Sequence, residues 1–193
     1  MKTFLPYTDP LKNYITKKKS LDRLANIADQ LPKLLLTGGV QKNIKSLKAN
    51  DLSVNSLVKN NNARELNLAM VQLSFISHAY IWGAKTPSKV LPEVLAKPWV
   101  QVANILGRPP ILSYASYCLD NWYRLNQREN ISLENVGLLT NFLGGVDEDW
   151  FVTIHVCIED AARDAITAAD AISKLDEMDT VKNFSDNLKL IIL

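Results

Sequence analysis

A few side chains in this 193-residue sequence have the types and the spacing to do chemistry. In "DWFVTIHVCIED", residues 149–160, His155 is one of only two histidines and sits in an otherwise apolar run. Phe151, His155, Glu159 and Ala162 recur at three- or four-residue steps, which places them on one face of a helix. A carboxylate one turn from an imidazole can orient or charge its ring, so Glu159 is a candidate partner of His155. In "RPPILSYASYCLDNWYRL", Tyr114, Tyr117 and Cys118 share a face by the same spacing. Two such faces turned towards each other would enclose an aromatic, mostly apolar pocket with few polar groups, suited to a flat aromatic ligand or cofactor. The same spacing also describes ordinary core side chains, and periodicity does not show that the two faces meet. The other histidine, His78, lies beside Tyr80 and Trp82 and reads as a structural, hydrogen-bonded residue.

Other chemistries find no footing. There is no phosphate loop or dinucleotide fingerprint, since "LTGGV" is too short and follows a helix. No GxSxG elbow is present. The acidic pairs fall on polar helical faces. A net charge of +2, from 22 basic and 20 acidic residues, argues against nucleic acid as the main partner. Two cysteines, Cys118 and Cys157, without a CxxC pair argue against structural zinc and for free thiols in a reducing compartment. The N-terminal stretch lacks the apolar core of a signal peptide, and no apolar run is long enough for a membrane span. The expectation is a soluble, cytoplasmic protein with neither nucleic acid nor membrane as partner.

The elements that must position these residues are helical nearly throughout. "SLDRLANIADQL" carries apolar residues three or four apart, with Ser20 as its expected N-cap and "TGG" at 37–39 as its stop. Residues 40–61 read as a short helix followed by loop. In "NARELNLAMVQLSFISHAYIWG", Asn62 is the expected cap, and Glu65 stands at the capping-box position. Leu66, Met70, Leu73, Ile76 or Ser77, and Tyr80 form its apolar stripe, and Gly83 ends it. The proline-rich stretch that follows reads as turns, with Pro98 opening a helix that runs to Gly107. A further helix is expected after Pro110. Residues 126–146 are looser and show no strong strand pattern. "LGGVDEDW" is a break, then an acidic first turn that favours helix initiation. From there a helix is expected to run unbroken to about Leu175. Asp179 or Thr180 would cap a last helix, whose apolar end, Leu-Ile-Ile-Leu, needs a partner. The fold class expected is all-α.

Three blocks, "LSFISHAYIWG" at 73–83, "KVLPEVLAKPWVQVANILGRPPILSYASYCLDNW" at 89–122 and "WFVTIHVCIEDAARDAI" at 150–166, resemble the indoleamine 2,3-dioxygenase family in content, order and spacing. The resemblance runs from about residue 20 to the end and covers the N-terminal half of a typical member. It implies a small helical N-terminal domain, residues 1–143 here, followed at 144–193 by the first long helices of a larger haem-binding domain. It also implies haem b as cofactor of the complete enzyme, with O2 and L-tryptophan or another indole as partners. The reaction is oxidative opening of the indole ring to N-formylkynurenine, in the kynurenine route of tryptophan catabolism.

Residue by residue, Tyr114 falls where the family has a distal-pocket tyrosine. Tyr117 falls where a small residue or cysteine often lines the pocket floor, and Cys118 takes the adjoining lining position. Phe151 matches a phenylalanine near the substrate indole. His155 takes the distal position, where vertebrate members carry serine. A histidine there resembles the related tryptophan 2,3-dioxygenases, whose histidine hydrogen-bonds the indole N–H and needs a neutral ring with one nitrogen free to accept. The family's proximal haem histidine and substrate-carboxylate arginine belong to its C-terminal half, and neither has a counterpart in this chain. The expectations are that this chain alone does not hold haem, and that a second chain or a longer product supplies the other half. The alternative is a non-catalytic helical remnant or interaction module. With an apolar end to its last helix and an unfilled pocket wall, the isolated chain is expected to be poorly soluble or to self-associate.

Overall fold

The computed structural model describes residues 4–174 and 185–189. These form a mostly helical fold with one small two-stranded sheet, in agreement with the all-α expectation. Helices α1 (Lys19–Asp29), α2 (Leu31–Leu36), α3 (Val40–Lys45) and α4 (Asn55–Asn60) lead to the long α5 (Ala63–Trp82) and to α6 (Glu93–Leu106). A π-helical turn, Ala115–Leu119, follows, then strands β1 (Trp122–Arg124) and β2 (Val136–Leu138), then α7 (Val146–Ala161) and α8 (Arg163–Ile172). Residues 185–189 are helical, whereas the expected cap at Asp179 or Thr180 and the apolar end lie outside the described residues.

Helix α5 is the hub. Its expected stripe is buried, but so are Leu68, Val71, Gln72, Ser74 and Phe75 from its other sides. The reason is that α1, α3, α6 and the π turn all pack against it, so hardly any of its circumference is left to water. Asn62 caps it as expected, its Oδ1 accepting from the N–H groups of Arg64 at 3.1 Å and Glu65 at 3.4 Å. Glu65 does not close a capping box. Its buried carboxylate instead accepts from the N–H groups of Ile15 at 2.9 Å and Thr16 at 2.7 Å, and from the Thr16 hydroxyl at 3.0 Å. Tyr14, also buried, donates its hydroxyl to Gln72 Oε1 at 2.8 Å. These bonds fasten the N-terminal segment along α5. At Gly83 a Cβ would collide with the Ala79 carbonyl and the Leu35 side chain, so glycine lets the helix end against α2.

Several expected boundaries differ. Helix α1 starts without a side-chain cap, and Ser20 spends its hydroxyl on the Ser53 carbonyl at 2.7 Å. Helix α6 begins after Pro92, not at Pro98; Pro98 sits inside it, buried, and Pro92 supplies the extended backbone of the N-cap. Gly107 ends α6 at φ 63°, the left-handed region glycine suits. No long helix follows Pro110. Two prolines remove two N–H donors from its first turn, and a five-residue π turn forms, closed by the Asp120 N–H on the Ala115 carbonyl at 2.8 Å. Strands β1 and β2 pair antiparallel, Tyr123 opposite Gly137, where a Cβ would press on the Tyr123 ring at 3.1 Å. The expected unbroken helix from 146 divides at Ala162, whose ψ of −5° ends α7 and starts α8. No glycine or proline marks that break in the sequence.

A prediction follows from the Glu65 tether. Glu65→Ala leaves three donors without their acceptor and should lower stability by about 3 kcal/mol in urea unfolding, whereas Glu65→Gln, which keeps an acceptor oxygen, should cost less. Equal loss in both variants would show that the carboxylate's hydrogen bonds do not carry the effect.

Candidate functional site

Helix α7 and the π turn face each other, and between them lie Tyr114, Tyr117, Phe151, His155 and Glu159. The His155 and Phe151 rings have centroids 4.3 Å apart, and Tyr114 meets His155 edge-on at 5.8 Å. Tyr117 meets Phe151 edge-on at 5.8 Å. The two faces read from spacing therefore do come together. Tyr114 and Phe151 are nearly half exposed, at 44% and 46%, which leaves an aromatic surface open on this side.

The polar groups pair differently from the sequence reading. Glu159 does not bind His155; its Oε1 accepts from the Tyr114 hydroxyl at 3.0 Å. Local burial, then the Glu159 hydrogen bond and charge, push the Tyr114 phenol well above its usual pKa, so it remains a neutral donor. His155 Nδ1 lies 2.5 Å from the Phe151 carbonyl oxygen one turn back. A carbonyl only accepts, so Nδ1 carries the proton. Nε2 meets no hydrogen-bonding partner among the described residues, and in the neutral ring it is the acceptor.

Tyr117 and Cys118 part company. The Tyr117 ring stacks on Phe75 of α5 at 5.4 Å and on Phe142 at 6.3 Å, so it links the site to the core. Cys118 is fully buried behind it, with Trp122, Val136, Val152 and Val156. Burial, helped by the Glu159 charge, raises its thiol pKa to about 12. The cysteines are both free thiols, as expected. His78 is half-buried, its Nδ1 3.1 Å from the Ser74 carbonyl and its ring edge-on to Trp99, a structural arrangement. Burial lowers its pKa.

Sequence reasoning missed Glu148 and Phe142. The Glu148 carboxylate accepts from three successive backbone N–H groups, those of Phe142 at 2.7 Å, Leu143 at 2.9 Å and Gly144 at 3.2 Å. This clamp seats Phe142 against Phe75, ring centroids 4.6 Å apart, and so backs Tyr117. The acidic first turn of α7 was its only signal, and that reads equally as a response to the helix dipole.

The arrangement offers a flat aromatic wall with one aligned acceptor. Among the described residues no cluster of three or more His, Cys, Asp or Glu could hold a metal ion. The half-exposed Tyr114 and Phe151 rings fit a flat, apolar group such as haem. No helix among the described residues is long and apolar enough to cross a membrane.

The thiols give a direct check. In the native chain at pH 8, Cys118 should resist alkylation, because burial shields it and a pKa near 12 leaves roughly one part in ten thousand as thiolate. Raising the pH towards 12 should increase its thiolate fraction, and unfolding should expose it fully. Mass spectrometry of the alkylated native protein should find label on the half-buried Cys157 first. Equal early labelling of both would contradict the packing.

A family model described as indoleamine 2,3-dioxygenase matches residues 1–192. An indoleamine 2,3-dioxygenase of Saccharomyces cerevisiae is 36% identical over 162 residues, 81% of this chain and 35% of that protein. Indoleamine 2,3-dioxygenase 1 of Mus musculus is 33% identical over 158 residues, 81% of this chain and 38% of its own length. The chain thus spans little more than a third of the length of these curated relatives.

Proposed function

The chain belongs to the indoleamine 2,3-dioxygenase family, and on that premise we propose that it forms the distal wall of a haem-dependent dioxygenase that opens the indole ring of L-tryptophan to N-formylkynurenine. The observation that carries this reading is His155, whose Nδ1 is spent on the Phe151 carbonyl while Nε2 has no described partner, on a wall of exposed aromatic rings. In this reading residues 1–143 form the small helical domain, and residues 144–193 begin the larger, haem-binding one. The proximal ligand and the remaining walls come from a longer product or a second polypeptide. Free Cys118 and Cys157 suit a reducing compartment such as the cytoplasm.

Haem, when bound, supplies the activation of O2. The chain's own residues do the rest at this wall. Phe151 and Tyr114 present ring surface to a planar indole and keep water from it. His155 accepts the indole N–H at Nε2, which fixes the orientation of the ring relative to the oxidant. Glu159 holds the Tyr114 hydroxyl, so the phenol stays beside the imidazole. Phe75, Phe142 and the Glu148 clamp back Tyr117 from behind.

The test is a haem titration of the purified chain followed by its Soret spectrum, with and without a polypeptide carrying the family's C-terminal half. A sharp histidine-type ferric spectrum only in the combined sample, with tryptophan turnover, is the expected result. In that sample His155→Ala should lower kcat/KM for tryptophan about 10- to 100-fold, the worth of one aligned hydrogen bond, with the haem spectrum largely retained. No specific haem uptake in either sample would overturn the proposal and leave a non-catalytic helical module.

A further inference from the structure

An open cavity lies on the other side of the π turn. It offers about 420 Å³ between residues 4–6, the first turns of α5 and the segment 108–120. Ser113 and Ala115 line it, while Tyr114 between them reaches across to Glu159 on α7. Its walls are largely apolar, from Phe4, Pro6, Pro109 and Leu119. Two charged side chains, Arg108 and Asp120, open into it side by side.

The pair is incompletely satisfied. Arg108 donates from one terminal nitrogen to Asp120 Oδ2 at 2.7 Å and from the other to the Ser116 hydroxyl at 2.8 Å. A guanidinium has five N–H groups, so further donors stay available. The Asp120 side chain is only 8% exposed, and its Oδ1, which has no hydrogen-bond partner among the described residues, is the part of the carboxylate left open to solvent in the cavity. Burial pushes the Asp120 carboxyl pKa up, against the opposing pull of Arg108. The half-buried Asn67 amide faces the same cavity and also lacks a described partner.

We infer that this cavity is a binding site for a small apolar molecule carrying a neutral carboxamide. The reasoning is complementarity of charge and of donor pattern. The two charged groups cancel, so a lone anion meets Asp120 and a lone cation meets Arg108, each at a cost. A primary carboxamide is neutral and presents an N–H donor beside a C=O acceptor. Its N–H matches Asp120 Oδ1, its carbonyl matches an unused Arg108 N–H, and its apolar body lies against the proline and leucine walls. The cavity volume falls in the range that takes a single-ring ligand. Because Arg108 also holds Ser116 of the π turn and Asp120 just after it, an occupant bears on the segment that carries Tyr114 and Tyr117. The inference does not depend on the haem reading of the opposite face.

Benzamide is the probe, with benzoate and benzylamine as its charged counterparts, titrated into the 193-residue chain and followed by NMR shifts and calorimetry. Benzamide should bind with shifts centred on Arg108, Leu119 and Asn67, and each charged analogue should bind at least roughly tenfold more weakly, the worth of one well-matched hydrogen bond. Asp120→Asn turns an amide N–H2 towards the cavity, so benzamide should weaken about tenfold while benzoate gains. Asn67→Ala, at the cavity rim, should cost benzamide a smaller factor and serves if Asp120→Asn fails to fold. Absence of benzamide binding, tighter binding of either charged analogue to the native chain, or unchanged benzamide affinity in a folded Asp120→Asn would each overturn the assignment.

Discussion

A twenty-residue helix with water on almost none of its sides cannot leave polar groups unmet, since each would cost about 1–3 kcal/mol. Helix α5 solves this by using its polar side chains as fasteners. Glu65 takes the backbone of residues 15 and 16, Gln72 takes Tyr14, and Ser74 takes both the Trp99 indole N–H at 3.2 Å and, through its carbonyl, His78. Together they hold the N-terminal segment, α6 and the helix's own last turns. The apolar surface supplies the drive to pack, and these directional bonds select which segment docks where. Ser77 Oγ is an exception, buried with no described partner.

The candidate site inherits its shape from this hub through an aromatic relay. Phe75 leaves α5 and stacks on Tyr117 in the π turn, and Phe142 covers both. A π turn widens the backbone by one residue per turn and redirects successive side chains. That is how neighbouring positions serve different ends here: Tyr114 towards α7, Tyr117 towards the core, Cys118 into the second apolar cluster, and Asp120 towards Arg108. Asn121 then locks the exit of the turn, donating to the Tyr117 and Thr140 carbonyls and accepting from the Thr140 N–H. A regular helix would have kept 114, 117 and 118 on one face, as the spacing suggested.

Family membership adds a scale to this arrangement. The chain corresponds to little more than a third of its curated relatives, and its α7 wall carries exposed Trp150, Phe151 and Ile158. An exposed aromatic surface of this kind is costly in water and suits coverage by a flat ligand or by more protein. His155 is the one polar side chain of that surface whose ring orientation is set by a backbone carbonyl of its own helix. Its direction therefore does not depend on what covers the wall.

Sequence alone determined what local rules govern. Apolar periodicity marked α5 and α7, Asn62 and Gly107 were legible as caps, and three motif blocks carried the family. Those signals act over three or four residues, or reside in the identity of a block. Tertiary structure decided the partner of each polar side chain and the places where the chain departs from a regular helix. Glu65 looked like a local cap because residue 62 is near in sequence, but its carboxylate binds residues 15 and 16, about fifty positions away. Glu159 looked like the partner of His155 by its one-turn spacing, but Tyr114 arrives from another element and takes it. A buried polar group binds whichever complementary group packing brings within about 3 Å, and periodicity within one segment holds no record of which distant segment that is.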